Sequence, residues 1–198
     1  MKVKKGYILL TDTRSVLTRL IRLYTKEPYN HASIAFDPEL SEVYSFGRKS
    51  ERNPFIGGFV KEDLKSRLLV EANCAIYSFE ATEDQLDKMR EYVREMAEKK
   101  SQYRYNFLGL FGFIINKPID RKNHFFCSQF VASVLAEGHV LMFSKPLALI
   151  APSDFRNLVN FELVYQGRLM DYKVNRKNLK RNQKLNLMCA KTKTPTLS

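Results

Sequence analysis

The sequence has few cysteines, and no two of them are close together. Cys74, Cys127 and Cys189 are the three in the chain, and no C-x-x-C pair occurs. This spacing argues against the disulfide framework of a small secreted domain and against a structural zinc site. We therefore expect no metal or other cofactor, and a reducing, cytoplasmic setting.

Long apolar runs are absent as well. The run Tyr7 to Leu10 near the N-terminus is followed by Asp12 and Arg14, which makes it too short for the core of a signal peptide. No window approaches the roughly 20 apolar residues needed to cross a bilayer. From these absences we expect neither export nor a membrane-spanning segment.

The positive charge is concentrated at the C-terminal end. The chain carries a formal charge of +12, of which residues 167–198 hold nine basic residues and one acidic residue, a net +8 that leaves +4 for residues 1–166. We expect one domain over 1–166 and a basic, flexible tail over 167–198. The tail predicts only weak contact with anionic surfaces, and no specific nucleic-acid partner is expected.

The first half of the sequence alternates strand and helix patterns. Residues 6–10 favour a strand, and residues 16–24 have the spacing of a helix. Residues 31–36 alternate polar or small with apolar side chains, which predicts a strand that His31 opens. Residues 42–46 predict a strand returning antiparallel after a turn.

The second half contains a long helix and the helix that carries a cysteine. Residues 47–58 read as a loop and 68–80 as one or two strands, whereas Thr82 and Gln85 form a capping box for a helix to about Lys100. The conformation of residues 103–115 stays open. A further helix is capped by Asn123 and ends at Gly138, and its buried side chains are Phe130, Val131, Val134 and Leu135. A short helix at Pro152–Asp154 and a strand at Phe161–Tyr165 follow. The fold class expected from these elements is α+β, with an antiparallel sheet of about five to six strands packed against the cysteine helix.

Cys127 lies in the first turn of its predicted helix. Unpaired backbone N–H groups and the positive end of the helix dipole both favour a thiolate there. A base within reach would make it a nucleophile, and His31 is the candidate. From spacing alone a buried core thiol is about as good an interpretation. His124 is a weaker candidate base, and no spacing supports a metal site built from Cys127, His124 and His31.

Several motifs resemble a known family. Residues 6–10, His31 within Pro28-Tyr-Asn-His-Ala-Ser-Ile-Ala-Phe36, the strand Glu42-Val-Tyr-Ser-Phe46, and Phe126-Cys-Ser-Gln-Phe-Val131 are similar to the permuted branch of the NlpC/P60 superfamily. The YiiX/YycO-like bacterial proteins are the most similar group, and lecithin-retinol acyltransferase is distantly similar. The resemblance covers roughly residues 6–165. It implies a circularly permuted papain-like fold, in which histidine precedes cysteine along the chain.

The resemblance also implies the chemistry of the site. Cys127 would attack a carbonyl carbon, His31 would move the proton, and a backbone N–H near Cys127 would stabilise the oxyanion. The family places a polar third residue on the strand paired with the histidine strand, and alignment points to Ser45 there. Glu42 is the alternative third residue; its charge suits the role better, but its position in the strand alternation is opposite to that of Ser45.

Two classes of function follow. The first is a cysteine hydrolase or acyltransferase acting on an amide, ester or thioester of a small-molecule, lipid or peptide substrate. The second is a binding module that keeps the cleft but has lost turnover, with the basic tail contacting anionic lipid or nucleic acid. An uncharged third residue favours the second class, and the sequence predicts no oligomeric state.

Overall fold

The computed structural model describes residues 3–13, 27–48 and 56–172, which form an α+β fold around one antiparallel sheet. The elements in chain order are β1 (Val3–Thr11), β2 (His31–Ala35), β3 (Val43–Arg48), β4 (Gly57–Lys61), α1 (Arg67–Val70), β5 (Asn73–Thr82), α2 (Glu83–Glu98), β6 (Arg104–Tyr105), α3 (Phe107–Ile114), β7 (His124–Phe125), α4 (Cys127–Glu137), two 3₁₀ turns (Leu147–Leu149 and Pro152–Asn157) and β8 (Phe161–Arg168). The predicted helix over residues 16–24 lies outside the described residues.

The main sheet has six strands in the order β4-β3-β2-β1-β5-β8, and every neighbouring pair is antiparallel. This agrees with the expected size and direction. A second, two-stranded parallel sheet joins β6 to β7, immediately before the helix that begins at Cys127. Residues 47–58 are not all loop as predicted, because β3 continues to Arg48 and β4 begins at Gly57.

Both faces of the sheet bury apolar side chains. Successive side chains of each strand point to opposite faces, and apolar residues occur in both sets. One face packs against α2 and α4, and its side chains include Ile8, Leu10, Ala32, Ile34 and Phe46. The opposite face holds a smaller apolar cluster that includes Leu9, Ala35, Val43, Cys74 and Ile76. His31 and Ser33 share the side of β2 that carries Ala35, so they lie on the face opposite to the helices.

The long helix α2 follows its sequence signals. Thr82 Oγ1 accepts a hydrogen bond from Gln85 N, and Gln85 Oε1 accepts one from Thr82 N, which completes the predicted capping box. Gly138 ends α4 as predicted, but its φ is −72° and the left-handed position is taken by His139. A Cβ at Gly138 would lie 2.3 Å from Met89 Cγ, so glycine is required there by the close approach of the two helices.

The start of α4 differs from the prediction. Asn123 does not cap the helix, because it adopts a left-handed turn conformation with φ of 59° ahead of β7, and Phe126 occupies the N-cap position. Asparagine is suited to both positions, since its short polar side chain tolerates positive φ as well as capping a helix. The later start makes Cys127 the first residue of α4.

The folded region extends beyond the boundary that the charge pattern predicted. Strand β8 continues to Arg168, and Leu169 and Tyr172 are buried in the smaller apolar cluster. The basic residues of the tail from 173 onward lie outside the described residues. Within the described ranges, no helix combines the length and the apolarity that crossing a membrane requires.

Candidate active site

Cys127 is held at the N-terminus of α4 with its side chain turned inward. The first hydrogen bond within the helix runs from Phe130 N to Phe126 O, so the N–H groups of Cys127 and Ser128 are not used by the helix itself. Ser128 Oγ donates to Ile150 O at 2.6 Å, which fixes this turn. Cys127 is only 6% exposed.

The sulfur of Cys127 lies where β2 and β3 separate. Their pairing ends at Ile34 opposite Tyr44, although β3 continues along β4 to Arg48. The N–H groups of His31 and Ser33 face β1, which leaves the N–H of Ala32 on the β3 side. That N–H and the N–H of Ser128 both lower the pKa of the Cys127 thiol. The point where the β2–β3 pairing ends thus contributes a backbone N–H group that favours a thiolate at Cys127.

The His31 ring bridges Cys127 and a carboxylate that the sequence analysis did not identify. His31 Nε2 lies 2.7 Å from Glu62 Oε1, and the two side chains are 11% and 13% exposed. Because Nε2 faces Glu62, Nδ1 is the nitrogen left for the interaction with Cys127. Glu62 Oε1 also accepts from Ser45 Oγ at 2.5 Å and from Ser33 Oγ at 3.5 Å.

The electrostatics of His31 favour the imidazolium. Burial lowers the pKa of His31, but the hydrogen-bonding interactions with Cys127 and Glu62 outweigh it and raise the pKa from 6.5 to about 10. Burial raises the pKa of Glu62, yet the ring of His31 and the hydroxyl of Ser45 hold it below its ordinary value. Glu62 is therefore charged and able to stabilise a protonated His31.

The same pair favours a thiolate at Cys127. Burial raises the pKa of the thiol, and the interaction with His31 together with the two backbone N–H groups more than reverses this, so the pKa lies below 9.0. Cys74, buried in β5, shows the contrast within the same chain. Burial raises its pKa to about 12, with no neighbouring charge to offset the effect.

Tyr105 lies beside the nucleophile. Burial, and then the charge of Cys127, raise the pKa of its hydroxyl well above 10, so the group remains protonated as a hydrogen-bond donor. Its ring approaches β4 closely: a Cβ at Gly57 would lie 2.8 Å from Tyr105 Cβ and 3.1 Å from Gly47 O. Glycine at position 57 therefore allows Tyr105 to reach this place.

The two candidates for the third residue occupy different surroundings. Ser45 is fully buried, and it contacts Glu62 on the face that also carries His31. Glu42 is 54% exposed and its Oε1 lies 2.7 Å from Lys61 Nζ, away from the ring. The structure therefore places neither residue on the imidazole nitrogen, and Glu62 takes that position.

Nothing in the local sequence singles out Glu62 or Tyr105. Glu62 is one of 21 acidic residues, and it follows a short strand that was not predicted, 31 residues after His31. The alternation of side chains along β4 was the one available signal, because it puts Val60 and Glu62 on the same face of the sheet. The pairing of β4 with β3 then places Glu62 beside Val43 and Ser45. Recognising it required the β3–β4 pairing first.

The remaining histidines and cysteines lie elsewhere. His124 Nδ1 lies 2.7 Å from Lys122 O in the β6–β7 sheet, and His139 is in the left-handed turn after α4. Cys74 is buried in the sheet, and Cys189 lies outside the described residues. Across residues 3–13, 27–48 and 56–172, no group of three or more histidine, cysteine or acidic side chains is arranged to hold a metal ion.

The site therefore combines a cysteine at a helix N-terminus whose pKa is lowered, a histidine whose pKa is raised and a buried carboxylate hydrogen-bonded to the histidine ring. Such a set can attack an electron-poor carbonyl carbon and deliver a proton to the group that leaves. Comparison with protein-family models, with curated proteins and with solved structures found no match to this chain in any of the three.

Proposed function

We propose that this chain is a cysteine hydrolase or acyltransferase in which Cys127 is the nucleophile and His31 is the general acid and base. Glu62 orients the imidazole ring of His31 and stabilises its protonated form. The contact that carries the proposal is the 2.7 Å hydrogen bond between Glu62 Oε1 and His31 Nε2, which leaves Nδ1 for Cys127. Glu62 carries the negative charge that Ser45 lacks, and this charge stabilises a protonated His31.

In the first half of the reaction the thiolate of Cys127 attacks the carbonyl carbon of an amide, ester or thioester. The carbonyl oxygen becomes an oxyanion, which the N–H groups at the start of α4 and the hydroxyl of Tyr105 would stabilise. His31 gives its Nδ1 proton to the departing amine, alcohol or thiol as the intermediate collapses. The acyl group remains on Cys127 as a thioester.

In the second half a water molecule or another acceptor attacks the thioester. His31, now neutral, takes the proton of the attacking group, and the sulfur of Cys127 leaves as a thiolate. Water gives hydrolysis, and an alcohol or amine gives acyl transfer. A protonated Tyr105 and a charged Glu62 are unchanged over the cycle.

The fold supports the same proposal. In chain order the site has histidine on β2, the carboxylate after β4 and cysteine at the start of α4. A circularly permuted papain-like domain of the NlpC/P60 type, as the motif resemblance implies, would have this order. The alternative of an inactive binding module depended on an uncharged third residue, and Glu62 removes that argument.

The test is profiling with electrophilic esters and amides, comparing wild type with Cys127→Ala. We expect covalent acyl adducts on Cys127 of the wild type and none in the variant. If wild type acquires no adduct from any activated ester while Cys127 remains alkylated by small reagents, the chain binds ligands without acyl transfer. Small-molecule, lipid and peptide acyl donors belong in the same panel.

A further inference from the structure

An exposed apolar stretch lies at α3, next to the site. Residues 107–115 contain no polar side chain. Leu108 is 51% exposed and Ile115, directly after the helix, is 60% exposed. Leu108 near the start of α3 and Ile115 just beyond its end are therefore both open to solvent. Exposed apolar side chains grouped in this way mark an interaction surface.

Basic side chains surround this stretch. Arg104, Lys117, Arg121 and Lys122 are all exposed. Arg104 donates to the backbone carbonyls of Ser101 and Tyr103, and within the described part of the chain none of the four forms an ion pair with a carboxylate. The neighbouring acid is Asp120, which accepts a hydrogen bond from Gln129 Nε2 at 3.3 Å. The four cations are thus available to an outside partner.

Backbone contacts hold the basic residues around α3. Lys117 N donates to Gly112 O, which folds the chain back onto the end of the helix. Arg104 is paired with His124 in the β6–β7 sheet, and Arg121 forms a bridge with His124. Leu108, Ile115 and the four basic residues are called the α3 surface below.

We propose that the α3 surface docks on an anionic phospholipid bilayer. An apolar helix side with cations at its margin matches the boundary between acyl chains and phosphate headgroups. A helix of eight residues is far too short to span a bilayer, for which about 20 are needed, so α3 would lie in the plane of the interface. A purely apolar protein partner would leave the four cations unmatched.

This placement would bring the surroundings of Cys127 close to the bilayer. The rings of Tyr105 and Phe107 are 4.8 Å apart between centroids, so the first residue of α3 contacts the tyrosine beside Cys127. The docking itself uses no residue of the proposed chemistry. Vesicle binding should therefore be the same in Cys127→Ala as in wild type, and the two proposals can fail separately.

A single introduced tryptophan tests insertion directly, because the chain has none. In full-length Leu108→Trp we expect the emission to shift to the blue when phosphatidylcholine vesicles containing phosphatidylserine are added, and far less with phosphatidylcholine alone. The matched control is Leu163→Trp, at a 48% exposed position in β8 at the other edge of the sheet. No shift in Leu108→Trp, or an equal shift in both variants, overturns the proposal.

Vesicle flotation separates the α3 surface from the basic tail. We expect Leu108→Ser with Ile115→Ser to weaken binding at least about tenfold, and each of Lys117→Gln, Arg121→Gln and Lys122→Gln to weaken it about fivefold. The control pair Lys88→Gln with Arg94→Gln, exposed on α2, should change it much less. If the Leu108 and Ile115 variant binds like wild type, attraction by the tail accounts for binding and the α3 surface does not dock.

Discussion

Glu62 Oε1 lies 2.7 Å from His31 Nε2, which leaves Nδ1 as the ring nitrogen for Cys127. A single carboxylate oxygen thereby fixes the orientation of the imidazole and stabilises its protonated form, while Ser45 and Ser33 hold that oxygen in place. Burial lowers the pKa of His31, and the interactions with Cys127 and then with this carboxylate outweigh it and raise the pKa to about 10.

Removing the charge of Glu62 should reduce acylation without removing the side chain. For Glu62→Gln we expect the burst of nitrophenolate from p-nitrophenyl acetate to slow by about 10²-fold to 10⁴-fold, because the amide cannot stabilise an imidazolium. The acidic limb of the pH profile should also move upward. Glu42→Gln is the matched control, since Glu42 is exposed and pairs with Lys61. Equal rates in the two variants would remove Glu62 from the site.

Ser45 supports the carboxylate and does not contact the ring nitrogen. Ser45→Ala deletes one hydrogen bond to Glu62, so we expect a rate loss of about tenfold or less and a stability loss of about 1.5–3 kcal/mol, the usual contribution of a hydrogen bond to a charged group. Ser33→Ala, with its longer contact of 3.5 Å, should cost less on both measures. Urea unfolding and the same burst assay measure both. A Ser45→Ala loss as large as that of Glu62→Gln would instead make the serine a primary orienting residue.

Tyr105 is predicted to act through its hydroxyl. Tyr105→Phe should lower the rate of acylation with little change in the alkylation rate of Cys127, because the hydroxyl serves the oxyanion and not the thiolate. Tyr103→Phe is the control, as its half-buried ring lies two residues away. Gly57→Ala should resemble Tyr105→Phe and also reduce stability, since its Cβ would overlap Tyr105. Unchanged acylation in Tyr105→Phe would show that backbone N–H groups suffice.

The pair of Cys127 and His31 predicts how folding stability depends on pH. Unfolded, the groups have pKa values of 9.0 and 6.5, whereas in the folded protein that of Cys127 is lowered and that of His31 is about 10. In the part of the range from pH 6.5 to 9 that lies above the lowered pKa of Cys127, both states hold one proton on the pair, so its contribution is constant. Above pH 9 only the folded state keeps that proton, and stability should fall by about 1.4 kcal/mol for each pH unit up to about 10. Below pH 6.5 the unfolded state takes up a second proton, and stability falls with falling pH as long as Cys127 is still a thiolate in the folded protein.

Urea unfolding of wild type and of the double variant Cys127→Ala, His31→Gln isolates this contribution, because the double variant lacks both titrating groups. The difference in unfolding free energy should be constant in the middle window and decline on either side. A difference that instead changes steadily through neutral pH would mean that the folded pair does not hold a single proton there, which would contradict a thiolate paired with an imidazolium.

The main strands and helices follow from local patterns, as do the positions of Cys127 and His31 at the starts of their elements, whereas Glu62 does not. Alternation from His31 to Phe36 and the capping box of Thr82 and Gln85 are local signals, and both elements form as predicted. Asn123 shows the limit of such signals, since the same residue type suits a helix cap and a left-handed turn. Glu62 reaches His31 only through the pairing of β4 with β3, and no short-range pattern contains that pairing.

The most direct test of the account is the pH dependence of alkylation at individual cysteines, followed by mass spectrometry of iodoacetamide-treated native protein. We expect Cys127 to be alkylated well below pH 9 and its rate to form a plateau through neutral pH, because its thiolate is paired with the His31 imidazolium. Cys74, whose pKa is raised to about 12, serves as the internal reference and should stay unmodified. If the Cys127 rate instead rises only around pH 9, as for an ordinary thiol, or if His31→Gln leaves its profile unchanged, the thiolate and imidazolium pair does not exist.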